Sequence, residues 1–297
     1  MIESTDILIT VASWEERFQA GFERLLQMCP SKIFVFFYKE YIHVTKLNLQ
    51  KVQSCSQSAE LKIIELSFGD PVKSWKTITE TLSQPLVSGK NVVVDISTMP
   101  RESIWIIFDI LDEFSASISY VYHQPTEYSR EWLSRDPQKP RMVFKLSGIS
   151  RLGFPTRLVV TAGYDVDRIR QMIAHFEPDL TIIGVQTGTQ FGNEMMNIER
   201  HTKYFANDSR IKLFSLDAFT GDHGLKSIED QIKDHAAESN LVMTSLGPKL
   251  SAIPLYRLHK KYPSISLAYA PSREYNPEYS KGIGNTVCGV LKEYKTK

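Results

Sequence analysis

Four segments in the first half of this chain recur, in the same order, in the second half, and this repeat restricts the fold more than any single motif does. The first runs Ile7-Leu8-Ile9-Thr10-Val11-Ala12-Ser13-Trp14-Glu15-Glu16-Arg17. Its partner is Leu158-Val159-Val160-Thr161-Ala162-Gly163-Tyr164-Asp165, followed by Asp167-Arg168. Each reads as an apolar strand, a small residue, an aromatic, an acid and an arginine, and then a helix. The second pair, Lys32–Tyr38 and Leu180–Val185, consists of short, largely apolar runs, the pattern of strands covered on both faces. Pro30 and Pro178 precede them and end the helix before. The third pair is Val92–Arg101 and Leu241–Lys249: strand, hydroxyl turn, proline, basic residue. Pro100 and Pro248 suit the first turn of a helix, where a missing N–H costs nothing. The fourth, Ile118–Tyr128 and Ile265–Tyr275, is a strand ending in tyrosine, then proline, then a second tyrosine. The separation of matched residues shrinks only from 150 (Ala12 to Ala162) to 147 (Tyr122 to Tyr269). Unrelated βα units would share strand order, but not these polar and aromatic residues.

One more candidate strand falls in each half, at Lys62–Leu66 and Lys212–Leu216. The expected fold is therefore α/β: two tandem Rossmann-like modules related by internal duplication, residues 1–147 and 148–297. Each is a mostly parallel sheet of about five strands with helices on both faces. Ser134–Thr156 forms the connection, and Met142–Leu146 and Val287–Leu291 are candidate edge strands. Half of 297 residues is enough to bury a core. A net charge of +1 gives no bulk attraction to nucleic acid or membrane, although a local basic patch keeps nucleic acid open as a partner. Cys29, Cys55 and Cys288 are far apart and lack metal-ligand spacing. The N-terminus carries two acids and no basic segment, and the apolar runs Ile33–Tyr38 and Ile104–Ile110 are too short to span a bilayer. A cytoplasmic protein with no membrane partner, no metal and no cofactor is expected.

In an open parallel sheet, ligands bind beyond the carboxyl ends of the strands, and the repeated polar residues all fall there. Core packing does not require them. In the first module the ligand-binding candidates are Ser13, Trp14, Arg17, Ser97, Thr98, Arg101 and Tyr122. In the second they are Gly163, Tyr164, Arg168, Thr244, Ser245, Gly247, Lys249 and Tyr269. Hydroxyl turns that open helices favour an anion, and Arg101 and Lys249 add positive charge. Trp14, Tyr164, Tyr122 and Tyr269 offer flat faces for a base. A phosphate cradle beside an aromatic face describes a site for a nucleotide-type small ligand. The bland alternatives are equally concrete. The hydroxyls can be plain N-caps, and Arg17 and Arg168 can pair with Glu15 and Asp165 to hold a turn. Asp95 ends an apolar strand beside Ser97 and Thr98 and is the catalytic candidate. Aligned with Met243, it belongs to the first module alone, and it can equally bond amides of its own turn.

Two local features are weaker. Gly184–Asn193 is a glycine-bearing loop without the lysine of a P-loop or the spacing of a dinucleotide fingerprint, and it reads as a tight turn with backbone open to a ligand. His223, near Asp217 and Asp222, reads as turn chemistry before metal chemistry.

A strand ending in a hydroxyl-rich turn, with a basic residue opening the next helix, resembles the ligand loop of CRISPR-associated Rossmann-fold (CARF) domains. Two such modules in one chain resemble the fused pair of the SAVED domain. The resemblance rests on Ser97, Thr98 and Arg101, and on Ser245, Gly247 and Lys249; here the turns read Ser-Thr-Met-Pro-Arg and Ser-Leu-Gly-Pro-Lys. It implies a sensor of nucleotide signals in prokaryotic antiviral defence, acting through a separate protein effector because the modules fill nearly the whole chain. Two other readings stand beside it. One is an enzyme of nucleotide or nucleic-acid metabolism, with Asp95 or Glu15 as acid-base group and Arg17 and Arg101 on phosphate. The other is a structural subunit whose interface anchors are the tyrosines around 120–128 and 262–279.

Overall fold

The computed structural model describes residues 5–56, 59–114, 117–129, 132–188 and 194–292, the side chains of residues 84 and 85 excepted. Its strands are β1 Ile7–Val11, β2 Lys32–Tyr38, β3 Glu60–Leu66, β4 Asn91–Asp95, β5 Ser117–His123, β6 Glu127–Tyr128, β7 Ser134–Pro137, β8 Arg141–Met142, β9 Thr156–Thr161, β10 Leu180–Gln186, β11 Ile211–Leu216, β12 Asn240–Ser245, β13 Ser266–Tyr269, β14 Ser272–Tyr275, β15 Ser280–Lys281 and β16 Thr286–Lys292. The helices are α1 Glu16–Leu26, α2 Ile42–Cys55, α3 Pro71–Thr81, α4 Gln84–Val87, α5 Arg101–Glu113, α6 Val166–Phe176, α7 Glu194–Phe205, α8 Leu225–Ile232 and α9 Ala252–Lys261.

Two six-stranded sheets share one topology. The first has the order β16-β5-β4-β1-β2-β3, and the second β11-β10-β9-β12-β13-β8. Counted from the start of each module, both place their strands 3-2-1-4-5, all parallel, with an antiparallel strand beside the fifth. The expected pair of Rossmann-like modules is therefore present. β1 is buried at every position and apolar but for Thr10, because helices cover both faces of such a sheet. Phe18, Phe22 and Leu25 form the buried stripe of α1 and pack on Leu8, Ile33, Val35 and Val93. Val166, Ile169 and Met172 of α6 do the same on Leu158, Val160 and Ile183.

The chain divides into two compact units, residues 1–135 with 274–297, and residues 136–273. This differs from a cut between 147 and 148. The candidate edge strands explain the difference. Arg141–Met142 pairs with β13 of the second sheet, and Thr286–Lys292 pairs along β5 of the first. Backbone pairing to an otherwise open fifth strand decides which unit each segment joins, and that is not written in local pattern. The chain passes between units within β7 and returns within β14. Among the described residues, no helix is long and apolar enough to cross a membrane. The three cysteines carry free thiols.

Strand register identifies matched residues independently of sequence alignment. The Ala12 amide donates to the Phe36 carbonyl at 2.7 Å, and the Ala162 amide to the Gly184 carbonyl at 2.8 Å, so Ala12 and Ala162 are equivalent. Thr10 then lies opposite Asp95, as Val160 lies opposite Thr244. The counterpart of Asp95 is Thr244, one residue beyond Met243.

Candidate functional site

At the carboxyl ends of the first module's strands, most candidate side chains are engaged by the fold itself. Asp95 is fully buried (0% exposed). One oxygen accepts the Ser97 amide at 3.0 Å and the Ser97 hydroxyl at 2.5 Å, and the other accepts the Thr10 hydroxyl at 3.3 Å. Asp95 thus bonds an amide of its own turn. The Ser97 hydroxyl also accepts the His123 amide at 2.8 Å, and Thr98 donates to the Val11 carbonyl at 2.8 Å. Neither hydroxyl caps α5, whose N-cap is Pro100 with no side-chain bond. These hydroxyls tie the end of β4 to the ends of β1 and β5, so the N-cap reading gives way to strand-end bracing. The Ser13 hydroxyl accepts the Glu15 amide at 3.3 Å.

Arg17 is 1% exposed and forms an ion pair with Glu15 at 2.9 Å. It also donates to the His123 carbonyl at 3.2 Å and sits over the rings of Tyr122 and Tyr128. Burial opposes its charge, while Glu15 and the two phenols favour it, and the net effect holds its pKa well above the ordinary arginine value. Ser280 donates to the same Glu15 carboxylate. Trp14 packs against Tyr41 and Tyr275, with centroids 5.7 and 6.0 Å away. Tyr275 continues the row to Tyr279 and Tyr128. Tyr122, hydrogen-bonded to Tyr128 at 3.2 Å, is buried and presents no face for stacking. Arg101 is half-buried and lowers the pKa of Tyr279, which burial nevertheless pushes up to about 12. A cavity of about 600 Å³ lies beside Glu127, Tyr128, Ser129, Asn276, Glu278 and Lys281. Its charges are of mixed sign, with Lys281 3.9 Å from Glu278.

The second module repeats the bracing with different atoms. The Leu246 and Gly247 amides both donate to the Thr161 carbonyl at 2.9 Å. Glycine is required on both sides of this contact. A Cβ on Gly163 would sit 2.1 Å from the Leu246 oxygen, and one on Gly247 would sit 2.5 Å from the Ala162 oxygen. These two glycines are explained by backbone meeting backbone. Ser245 and Thr161 each lie 2.9 Å from the Ser251 hydroxyl. Tyr269 is buried. Lys249 is half-buried where a 3-10 turn, Lys249–Ser251, leads into α9. Arg168 donates to the Ala270 carbonyl, which is equivalent to the Arg17–His123 bond. The repeated arginine therefore ties the first helix of each module to the end of its fifth strand. Asp165 accepts the Arg168 backbone amide at 3.0 Å as the N-cap of α6.

Tyr164 differs from the buried tyrosines. It is 43% exposed, and the Arg200 guanidinium lies 3.6 Å from its ring centroid while donating to its carbonyl at 3.0 Å. Sequence reading did not single out Arg200, which is on α7 and shows no local signature. The loop candidates resolve into turn chemistry where they are described. Gly184 is a strand residue under the Phe214 ring, and residues 189–193 lie outside the described residues. His223 bonds the Ala218 carbonyl at 2.9 Å, and Asp222 accepts the Gly224 and Lys226 amides.

No protein-family model matches the sequence, and no curated protein is similar to it. Among solved structures, the cytoplasmic domain of a prokaryotic cation chloride cotransporter is similar over 93% of this chain and 98% of its own, at 9% identity and a TM-score of 0.26. At that score the likeness carries no argument.

Proposed function

We propose that this chain is a binding protein for a nucleotide or nucleotide-derived signal, a sensor or scaffold that works through a separate effector. The ligand lies at the carboxyl ends of the second module's strands. The observation that carries this reading is the Tyr164–Arg200 pair. It is an exposed aromatic ring with a guanidinium stacked on it, at the end of the first strand of an open parallel sheet. Guanidinium and phenol planes both stack on bases, and Arg200 and Lys249 supply positive charge for phosphate. Binding is favoured over turnover because Asp95 and Glu15, the acid-base candidates, are buried and bonded within the first module. The resemblance to CARF and SAVED modules makes the cyclic oligonucleotides of antiviral defence the first ligand class to test.

A structural-subunit reading has one observation in its favour. Met195, Met196, Ile198 and Tyr204 of α7 are exposed. Of the tyrosines around 120–128 and 262–279, Tyr120, Tyr122 and Tyr269 are buried, whereas Tyr128, Tyr262, Tyr275 and Tyr279 are half-buried.

The test is thermal shift of the protein against mono-, di- and cyclic nucleotides, beside Tyr164→Ala and Arg200→Ala. At a ligand concentration 100 times Kd, mass action stabilises the native state by about 2.7 kcal/mol. The melting temperature should rise by several degrees in wild type and much less in either variant. No response to any nucleotide would shift the assignment to the structural subunit.

A further inference from the structure

The two modules use an arginine for the same bond, but among the described residues only the first gives it a carboxylate partner. Arg17 and Arg168 each donate to the carbonyl just beyond or at the end of the fifth strand, His123 or Ala270. Both side chains are more than nine-tenths buried. A buried guanidinium needs a counter-charge, because desolvation is costly and protein dipoles alone replace little of the lost hydration. In the first module Glu15 provides it, accepting from both Nε and Nη2. In the second, the equivalent acid is Asp165, one methylene shorter, and its carboxylate is turned to the backbone amide at the start of α6. Among the described residues, no carboxylate pairs with Arg168, and its Nε is buried without an acceptor.

A second, independent difference lies on the neighbouring strand. The first module buries the Asp95 carboxylate at the end of β4, where Ser97 and Thr10 donate to it. By register its counterpart is Thr244, whose hydroxyl is fully buried and has no hydrogen-bond partner among the described residues. The first module therefore carries two buried carboxylates at its strand ends. In the second, Asp165 turns away from the arginine and a threonine replaces the aspartate, which leaves the Arg168 Nε and the Thr244 hydroxyl without hydrogen-bond partners among the described residues.

We infer that the carboxyl ends of β12 and β13 form an oxyanion site of the phosphate class, with Arg168 as its charged anchor and Thr244 as a donor. The first module holds the matching position closed with Glu15 and Asp95. A bound phosphoryl group would do in the second module what Glu15 does in the first. This deepens the proposed nucleotide reading, since the phosphate can be free or part of a nucleotide, but it rests on different residues from the stacking pair.

The probe is inorganic phosphate, titrated against the full-length protein, with chloride at matched ionic strength as the control. Wild type should gain a few degrees in Tm with phosphate and less with chloride. Arg168→Gln should abolish the difference. Should that variant not fold, Thr244→Val carries the test. It removes a buried unpartnered hydroxyl, so the phosphate-free protein should be at least as stable as wild type while the phosphate response shrinks. Equal responses to phosphate and chloride in wild type, or an undiminished response in Thr244→Val, would overturn the site. The nucleotide panel separates the two readings. A phosphate response without any nucleotide response keeps this site and removes the nucleotide. Nucleotide binding lost in Arg200→Ala but intact in Arg168→Gln keeps the stacking pair and removes this site.

Discussion

His123, His201 and His223 are buried, and in each burial is the largest influence and lowers the pKa from its ordinary value of 6.5. At His123, Asp95 pulls the other way, and Arg24 and Arg17 reinforce the fall. The sign of the consequence follows by linkage. The unfolded chain takes up protons on these rings first as pH drops, so stability is full above about pH 6.5 and declines as pH falls below that. Denaturation midpoints in urea should be level from pH 8 to 7 and drop between pH 6.5 and 5. His123→Gln should flatten part of that slope. A midpoint unchanged down to pH 5 would show that these rings titrate alike in both states. The same scale shows where local reading reached its limit. Glu15-x-Arg17 and Asp165-x-x-Arg168 both set an acid just ahead of an arginine, yet Glu15 pairs with its arginine while Asp165 caps α6.

Helix α1 approaches β5 closely at Gly21. A Cβ on Gly21 would sit 2.4 Å from Cδ2 of His123, whose Nδ1 is 2.9 Å from the Thr286 hydroxyl of β16. Gly21→Ala therefore forces helix and strand apart, although alanine is the better helix former. Overpacking of this kind costs about 1–3 kcal/mol. The double variant Gly21→Ala, His123→Ala should cost less than the sum of the single changes, since removing the ring makes room for the methyl group. Strictly additive free energies in urea would mean that the contact is relieved elsewhere. Sequence periodicity finds both elements, but not this crossing. A glycine on the buried face of a helix signals close approach without naming the partner.

For the whole molecule, the tail is the decisive segment. Residues 274–297 belong to the first unit. They supply β16 along β5, β15 beside β6, Tyr275 against Trp14, and the Ser280 and Gly282 bonds to Glu15 and Glu16. A chain ending at Arg273 should retain protected amides in the second unit. In the first, β4 and β5 should exchange much faster, because a parallel sheet loses its antiparallel edge and the aromatic row its cover. Hydrogen exchange read by mass spectrometry checks this. Unchanged protection of β5 after truncation would show that the first unit closes without its tail.

Two modules, their strand positions and their shared order were legible in the sequence, because burial on both faces forces continuous apolar runs and every parallel crossover repeats the same grammar of strand, turn and helix. The strand-end residues were legible as a group for the same reason: polar side chains have no place in those runs. Tertiary structure alone decided what each of them does. Ser97, Thr98 and Ser245 brace strands, Gly163 and Gly247 let backbones touch, and Tyr122 and Tyr269 are buried. Arg200 reaches Tyr164 across 36 residues, and the tail returns across the chain to finish the first sheet. Contacts between distant residues depend on which surfaces the fold brings together, and no local pattern encodes that.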